Sequence, residues 1–219
     1  MIDVKYSYKS IENHFQKGPI AHLMSQSISL KGSTRTVTEF FEYSINSILY
    51  QRGVYPAEDF VTVKKYDLTL LKTHDDELKD YIRKILLQVH RWLLGGKCNQ
   101  LVLCIVDKDE GEVVERWSFN VQHISGNSNG QDDVVDLNTT QSQIRALIRQ
   151  ITSSVTFLPE LTKEGGYTFT VLAYTDADAK VPLEWADSNS KEIPDGEVVQ
   201  FKTFSTNDHK VGAQVSYKY

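Results

Sequence analysis

The sequence predicts an α+β domain in which three helices pack on one face of an antiparallel β-sheet. Three segments repeat apolar residues at helical spacing, and all three begin within the first two thirds of the chain. From residue 166 onward the pattern is typical of strands and loops alone. We find no internal repeat and no shift in composition along the 219 residues. Helices and strands that are segregated in this way indicate a single α+β domain.

The first predicted helix begins at Ser33 or Thr34, either of which can cap its amino end, and it stops at Gly53. Its broad apolar face contains Val37, Phe40, Phe41, Ile45 and Ile48. The stretch "SISL" just ahead of it, which contains Leu30, resembles a short strand. After the helix, residues 59–66 alternate polar and apolar side chains as a strand does.

Two further helices are indicated by their capping signals. Thr73 is expected to cap the second helix, with the acidic residues 75–77 near its positive end, and Gly95 follows its last turn. The third helix is expected to begin at Thr140, where Thr140 and Gln143 fit a capping box. The inward stripe of the second helix is Leu78, Ile82, Ile85, Leu86, Val89 and Leu93. That of the third helix is Ile144, Leu147, Ile148, Ile151 and Val155.

The remaining strands form two predicted hairpins and one further strand. Residues 100–107 and 111–124 are joined by an Asp/Gly-rich turn, and residues 198–206 and 210–219 are joined through 207–209. The further strand covers residues 166–175. The strand at 101–106 is apolar on both faces, so we expect helices to cover it.

Composition and charge exclude several classes of protein. Forty per cent hydrophobic and 24% charged residues are ordinary for a globular protein, and the net charge of −5 argues against nucleic acid as the main partner. The longest apolar run, residues 101–106, is far too short to cross a bilayer. Cys98 and Cys104 lack CxxC spacing, which predicts structural thiols in a reducing cytosolic or nuclear protein.

The amino-terminal residues 1–23 differ from the rest of the chain. They show no sustained periodicity and no apolar region of a signal peptide, and they contain the breaker Gly18-Pro19. We therefore expect a flexible extension or a tag, with Met24 as a possible alternative start, ahead of a domain at 25–219. A second interpretation is that "KYSY", followed later by Pro19, acts in cis as a basic-hydrophobic ligand segment.

No catalytic or metal site is expected. "GNSNG" matches G-x-S-x-G and would make Ser128 a nucleophile with His123 or Asp132, as in a serine hydrolase. However, the motif lies in a polar loop predicted at 125–138, without the strand and helix that a nucleophile elbow requires. The six histidines and two cysteines have no metal-ligand spacing. We therefore predict a protein that is not an enzyme and that needs no metal or cofactor.

Several collinear motifs resemble one family. They are "FFEYSINSILYQRGVYP", "KYDLTLL", "GEVVERWSFNV", "IRQITSSVTFLP", "VPLEW" and "FSTNDHKV", and the likeness covers about residues 25–219. Together they resemble the HORMA-domain adaptors of the spindle assembly checkpoint, the mitotic arrest deficient family. The resemblance implies a HORMA fold of three helices on an antiparallel sheet, with a mobile carboxyl-terminal safety belt at about 176–219.

The resemblance also implies a mechanism and partners. In the open form of such proteins the terminal hairpin covers a sheet edge. In the closed form the belt locks a peptide of a checkpoint scaffold, or of the anaphase-promoting complex activator, against that edge. Capturing the activator inhibits anaphase onset. An open and a closed copy form an asymmetric dimer, and a remodelling AAA+ ATPase acts on closed copies. The expected locations are the nucleus, the cytoplasm and, in mitosis, kinetochores, without nucleic-acid or membrane binding.

Four groups of residues carry these implied roles. The dimerisation surface is Arg149, Gln150, Thr156 and Phe157. The peptide-binding edge is the strand with Tyr167, Phe169, Val171 and Ala173 on one face. The belt residues are Trp185, His209 and Tyr217, and Leu30 sets the balance between the conformers. A HORMA adaptor of a translesion DNA polymerase, which captures peptides by the same belt, is the alternative.

Overall fold

The computed structural model describes residues 2–7, 20–124 and 135–218. Within them, the helices are α1 (Ile20–Gln51), α2 (Asp76–Leu94) and α3 (Leu137–Ser153). Short 3-10 helices occupy Ala57–Asp59 and Ser154–Thr156. The strands are β1 (Ile2–Ser7), β2 (Phe60–Lys65), β3 (Leu68–Thr73), β4 (Cys98–Asp107), β5 (Val113–His123), β6 (Tyr167–Asp176), β7 (Trp185–Asp187), β8 (Glu197–Ser205) and β9 (His209–Tyr217).

Seven of these strands form one sheet in the order β7-β1-β6-β4-β5-β9-β8. The five strands from β6 to β8 are antiparallel to their neighbours, which confirms the predicted sheet and its three helices. β1 is parallel to both β6 and β7, so one end of the sheet is mixed. β2 and β3 form a separate hairpin through Tyr66 and Asp67, whose φ angles of 52° and 54° are typical of a two-residue turn.

The hydrophobic core lies between the helices and one face of the large sheet. At its centre the rings of Phe40 and Phe41 on α1 contact Phe119 on β5 at 5.8 and 5.7 Å between centroids. Phe204 on β8 lies 4.9 Å from Phe40. Because these aromatic side chains are fully buried, they tie the long first helix to both β5 and the terminal hairpin.

The opposite face of the sheet is buried as well, but without a helix in the described residues. Val102 and Cys104 on β4 pack with Leu172 on β6, and all three are fully buried. The apolar strand at 101–106 is therefore covered by helices on one face only, and the expectation of helical cover holds for that face. Burial raises the pKa of the Cys98 thiol to about 12, and both cysteines are free, which fits structural thiols.

The first helix begins earlier than the sequence predicts. α1 includes the "SISL" stretch, so the prediction of a strand around Leu30 is wrong, as is a start at Ser33 or Thr34. Ser29 and Ser33, two small polar residues of this part of α1, find partners in the carboxyl-terminal hairpin. Ser29 Oγ donates a hydrogen bond to an Asp208 carboxylate oxygen at 2.7 Å, and Ser33 Oγ lies 2.5 Å from Thr206 Oγ1. Tertiary contacts, which capping rules do not include, explain the difference.

The starts of the other two helices also shift by a few residues. Asp75, not Thr73, caps α2 by accepting a hydrogen bond from the Leu78 amide at 2.7 Å. Asp136 caps α3, so the predicted capping box at Thr140 and Gln143 is wrong. The side chains of Thr140 and Gln143 bind the backbone of β8 instead.

The carboxyl end of the third predicted helix differs too. Val155, expected in the buried stripe, lies in the 3-10 turn after α3 and its side chain is 38% exposed. The tighter 3-10 turn rotates the following residues away from the α-helical face, which is why the helical period fails there.

Part of the amino-terminal extension has regular structure. Residues 2–7 of the segment expected to be flexible form β1, and α1 already begins at Ile20. The predicted loop at 125–138 lies mostly outside the described residues, which include neither Ser128 nor Asp132. No helix in the described part of the chain is both long and apolar enough to cross a membrane.

Candidate peptide-binding edge and safety belt

The residues predicted to form the peptide-binding edge lie on β6, with their side chains in the core. Tyr167 and Phe169 are 8% exposed, and Val171 and Ala173 are fully buried. The ring of Phe169 is held between Tyr55 and Tyr81. These side chains therefore hold the strand in place by packing in the core. A ligand at this edge of the sheet would pair with the backbone of β6.

That backbone is paired in the structure. Along the β6 edge, β1 runs parallel in a register that places Asp3 opposite Leu172 and Ser7 opposite Asp176. On its other side β1 pairs with β7, from Ile2 opposite Trp185 to Val4 opposite Asp187. An extended segment is thus enclosed between the sheet and a strand of the predicted belt.

Arg116 on β5 binds the predicted belt segment across the second face of the sheet. Its guanidinium donates to the Ser190 carbonyl at 3.1 Å, to Ser118 Oγ at 2.6 Å and to Tyr174 Oη at 2.9 Å. Glu192 adds an ion pair at 3.6 Å. Since the Arg116 side chain is 5% exposed, these partners are needed to compensate its buried charge. One side chain therefore joins β5, β6 and the belt.

A second anchor holds the belt beside α2. Trp92 Nε1 donates a hydrogen bond to the Lys180 carbonyl at 2.9 Å, and the Trp92 ring packs edge-on against Trp185 of β7 at 4.8 Å. Both indoles are buried, which shows that Trp185 is a packed residue but leaves its belt role as a prediction. At the start of the belt, Lys97 forms an ion pair with Asp178 at 2.7 Å.

The turn of the terminal hairpin is fixed by a buried polar cluster around His209. His209 Nδ1 lies 2.6 Å from Ser33 Oγ, and Thr206 Oγ1 accepts a hydrogen bond from the His209 amide. The ring of His123 packs edge-on against that of His209 at 5.5 Å. Burial, and secondarily the nearby His123, lower the pKa of His209 to about 4, so this imidazole is neutral at pH 7.

A buried ion pair lies under the far end of the same hairpin. Arg52 Nε donates to Glu115 Oε1 at 2.7 Å, while Trp117 Nε1 donates to the other carboxylate oxygen at 3.0 Å. Arg52 also donates to the Pro159 carbonyl after α3. Glu115 is the register partner of Tyr217, the predicted belt residue at the end of β9. Burial raises the pKa of Glu115, and Arg52 offsets part of this rise.

Helix α3 binds the outer edge of the hairpin through its amide and hydroxyl side chains. Gln143 Oε1 accepts a hydrogen bond from the Ser205 amide at 2.8 Å, and Thr140 Oγ1 donates to the Ser205 carbonyl at 2.7 Å. Gln150 Oε1 accepts from the Lys202 amide at 2.6 Å. β8 is the last strand of its sheet, so these contacts cover an edge that is otherwise open.

The predicted dimerisation residues form an outer surface at the end of α3. Arg149, Thr156 and Phe157 are exposed, and Phe157 is 39% exposed although it is aromatic. Its ring lies 6.4 Å from that of Tyr217. Gln150 differs from the other three because it is half-buried and bonded to β8. Leu30, the predicted conformer-balance residue, is half-buried in α1.

Sequence reasoning missed Arg116, Trp92 and Gln143 as belt and hairpin anchors. Arg116 had a signal, because Glu115 and Arg116 place two charges inside a predicted strand, and a charged side chain that is buried there needs a partner. Trp92 and Gln143 had none, since an amphipathic helix pattern does not distinguish a core side chain from one that binds a distant segment. Within the described residues, no group of His, Cys, Asp and Glu side chains is arranged to hold a metal ion.

A model of the HORMA domain matches residues 33–215, a range that includes most of α1, all of α2 and α3, and the strands from β2 to β8. The chain belongs to the HORMA-domain family. Within this family it is 49% identical over 192 residues to the mitotic spindle checkpoint component mad2 of Schizosaccharomyces pombe, covering 87% of this chain and 94% of the relative. It is 43% identical over 197 residues to the mitotic spindle assembly checkpoint protein MAD2A of Homo sapiens, covering 88% and 94%.

The structural comparisons agree with this placement. A chain in the crystal structure of a mitotic checkpoint complex superposes with a TM-score of 0.78 at 48% identity, covering 86% of this chain and 99% of the other. Caenorhabditis elegans HTP-2 bound to the HIM-3 closure motif matches with a TM-score of 0.70 at 16% identity, over 86% and 91%, which supports the fold alone. This HORMA protein is therefore a spindle checkpoint component.

The comparisons also bear on the alternative function, that of an adaptor of a translesion DNA polymerase. MAD2B of Rattus norvegicus is 29% identical over 182 residues, covering 78% of this chain and 84% of the relative. The similarity to the fission yeast and human checkpoint relatives is much greater, which favours the checkpoint interpretation over a translesion polymerase adaptor. These two relatives are named as checkpoint proteins, and neither is named as an enzyme.

Proposed function

We propose that this HORMA protein inhibits anaphase onset by entrapping extended peptides between the β6 edge and the safety belt. The ligands are segments of a checkpoint scaffold protein and of the anaphase-promoting complex activator. The observation that carries the proposal is a six-residue strand paired on one side with β6 and on the other with β7 of the belt. The same enclosure fits any extended peptide that presents its backbone to the edge.

The physical basis of capture is backbone pairing followed by enclosure. Each backbone hydrogen bond contributes about 1 kcal/mol net, so pairing alone gives a weak and unselective complex. The belt adds a kinetic barrier, because a ligand enclosed on both sides cannot leave until the contacts of Arg116 and Trp92 are broken. We therefore expect slow dissociation to dominate the affinity.

We infer that the described arrangement is the closed form that the family resemblance implies, and two pairings support this assignment. The β8–β9 hairpin pairs with β5, and the β6 edge is free of the hairpin and holds an extended strand. The open form would place the hairpin on that edge instead. To convert a 1:99 population into 99:1, a ligand must prefer the closed form by about 5.5 kcal/mol.

Self-association completes the proposed function. An open and a closed copy meet through Arg149, Gln150, Thr156 and Phe157, where exposed aromatic surface lies next to an exposed charge. A remodelling AAA+ ATPase returns closed copies to the open form. The protein resides in the nucleus and cytoplasm and is recruited to kinetochores in mitosis.

The direct test is capture of a labelled scaffold-derived peptide by the full chain and by a chain truncated after Val211. Truncation removes most of β9, which pairs with β5 over the whole strand, so the hairpin cannot hold the belt closed. We expect peptide capture by the full chain and its loss in the truncated one. Equal retention by both chains would exclude entrapment by the belt.

A point variant tests the same mechanism without shortening the chain. Arg116→Ala removes three hydrogen bonds and leaves the belt carbonyl of Ser190 without its donor. We expect the captured peptide to dissociate at least tenfold faster, as measured by competition with unlabelled peptide. Arg116→Lys, which keeps the charge but not the forked geometry, is the matched control and should lie in between.

Two further measurements test the alternative functions, a translesion polymerase adaptor and a serine hydrolase. A peptide from a translesion polymerase catalytic subunit should bind much more weakly than the scaffold peptide. A covalent serine-hydrolase probe should not label Ser128.

A further inference from the structure

The strand held in the peptide-binding edge belongs to this chain itself. Residues 2–7 pair in register with Leu172–Asp176 of β6 and with Trp185–Asp187 of β7. The edge proposed above for partner peptides is therefore occupied by the protein's own amino-terminal segment in the described arrangement. The family model begins only at residue 33, so this segment lies outside the region that defines the family.

The connection between β1 and the domain is long enough for this pairing within one chain. Twelve residues, 8–19, join Ser7 to the start of α1 at Ile20. Fully extended, twelve residues span about 40 Å. The radius of gyration expected for a domain of this size is about 17 Å. A covalently tethered ligand of this kind competes at millimolar effective concentration, which a free partner must overcome.

The belt strand depends on the same segment. Within the described sheet, β7 is an end strand whose paired neighbour is β1. A further contact of β7 comes from Trp185, which packs against Trp92. Without β1, the backbone of β7 has no strand to pair with in this arrangement, so residues 2–7 complete the enclosure as a partner peptide would.

We propose that residues 2–7 are a built-in ligand that occupies the β6 edge in cis and competes with partner peptides for it. This inference rests on the proposed function, since it assigns an internal competitor to the same edge. A partner must displace the amino-terminal strand before it is captured. The apparent association constant for the partner is the intrinsic one multiplied by the fraction of molecules whose edge is free. The chemical class of the competitor is an extended peptide that pairs in parallel with β6.

The first test is a disulfide between register partners. Ser7 lies opposite Asp176, so the double variant Ser7→Cys/Asp176→Cys places two thiols at adjacent positions on paired strands. The native Cys98 and Cys104 are buried, and the raised pKa of Cys98 makes it a poor competitor for oxidation. We expect a linkage between residues 7 and 176 in monomeric protein under mild oxidation, identified by mass spectrometry of proteolytic fragments.

The single variants Ser7→Cys and Asp176→Cys are the controls for linkage to the native cysteines. A yield of the double variant no greater than that of these controls would overturn the inference. A linkage found solely between two chains would show an exchanged segment and would also overturn binding in cis. Neither result bears on capture of partner peptides, so failure here is distinct from failure of the proposed function.

The second test measures competition. Val4→Pro/Tyr6→Pro removes two backbone N–H groups from one side of β1, which disrupts its pairing. A fluorescent synthetic peptide with the sequence of residues 1–12 should bind this variant at least tenfold more tightly than the unmodified chain. Glu12→Pro/His14→Pro, which places the same number of prolines beyond β1, is the matched control and should behave as the unmodified chain.

Equal binding to the variant and the unmodified chain, or binding to neither, would overturn the inference. Thermal unfolding of all three proteins checks that the domain remains folded. The scaffold peptide is tested in parallel on the same proteins. If the disulfide forms but no variant captures the scaffold peptide, the proposed function fails and the internal ligand remains.

Discussion

At the scale of single residues, buried polar groups decide where the terminal hairpin sits. The Arg52–Glu115 pair lies beneath one end of β9, and the Ser33–His209 contact lies at the other. Arg52 directly follows α1 and Ser33 lies within it, and each contacts a residue more than sixty positions away in sequence. Because a buried charge or imidazole needs its partners, each cluster favours this position of the hairpin over any other that would leave it unpaired.

The ion pair gives a prediction for stability. Arg52→Met leaves Glu115 buried without its cation, and we expect the free energy of unfolding to fall by about 3–5 kcal/mol at pH 7, as measured by urea denaturation. In Arg52→Met/Glu115→Gln the neutral amide still accepts from Trp117, so the loss should be clearly smaller. Equal losses in the single and double variants would show that packing, not charge, dominates.

The loss of stability in Arg52→Met is expected to depend on pH. Burial raises the pKa of Glu115 above its usual value, so the folded state favours the protonated acid. A carboxyl with a raised folded pKa contributes stability at low pH that is lost as the pH rises. Removing Arg52 should strengthen this effect. The deficit of Arg52→Met relative to the unmodified protein should therefore be smaller at pH 5 than at pH 7.

His209 gives a pH prediction of the opposite sign. Its folded pKa of about 4 lies below the value of about 6.5 in an unfolded chain, so the unfolded state binds the proton more readily. The free energy of unfolding should fall between pH 6.5 and 4 with a slope of up to about 1.4 kcal/mol per pH unit from this group. His209→Asn, which removes the titrating imidazole, should flatten the slope measured by urea denaturation at several pH values.

At the scale of elements, side chains of α3 replace the strand that β8 lacks. Gln143, Thr140 and Gln150 bind the backbone at Ser205 and Lys202, although their positions in the sequence predict a cap or a surface residue. The early start of α1 has the same origin, because its polar residues bind the hairpin turn. The start of α1 and the hydrogen bonds of the α3 side chains therefore depend on where the hairpin lies.

Hydrogen exchange tests the contact between α3 and β8. Gln143→Ala removes the acceptor of the Ser205 amide, and we expect exchange of that amide to become about tenfold faster, which corresponds to about 1.4 kcal/mol. Ser142→Ala, one position away on the exposed side of α3, is the control and should leave the amide unchanged. Unchanged protection in Gln143→Ala would mean that β9 alone protects β8.

At the scale of the whole molecule, one chain presents two distinct surfaces. The β6 edge with the belt lies at one end of the sheet, and β8 with the end of α3 lies at the other. Peptide capture and self-association are therefore expected to be separable by substitution. A ligand would change the self-association surface by fixing the hairpin, which Gln150 contacts and to which Tyr217 belongs.

This separation gives a prediction for Arg149. Arg149→Glu reverses the charge of an exposed residue on the proposed dimerisation surface, and we expect self-association to weaken at least tenfold while scaffold-peptide capture is unchanged. Sedimentation velocity measures the first property, and peptide binding measures the second. Arg83→Glu, on the exposed face of α2, makes the same charge change away from the proposed dimerisation surface. It is the control and should leave self-association unchanged. A dimer unaffected by Arg149→Glu would place the contact surface elsewhere.

The sequence by itself determined the family of this protein and most of its elements, but not β1, β3 or β7. Helical period marks the buried faces of α1, α2 and α3. Alternation marks β2, and strand-like segments bounded by turn residues mark β4, β5, β6 and the terminal hairpin. The collinear motifs, from "FFEYSINSILYQRGVYP" to "FSTNDHKV", are sufficient to indicate a HORMA checkpoint adaptor.

The tertiary structure alone decided which strand edges β1 and the terminal hairpin occupy. The positions of β1 on β6, of β9 on β5 and of Arg116 under the belt depend on residues distant in sequence. A strand edge offers the same backbone groups to every extended segment, so local pattern cannot select its partner. The selection comes from buried contacts such as Arg52 with Glu115, which exist only once the chain has folded.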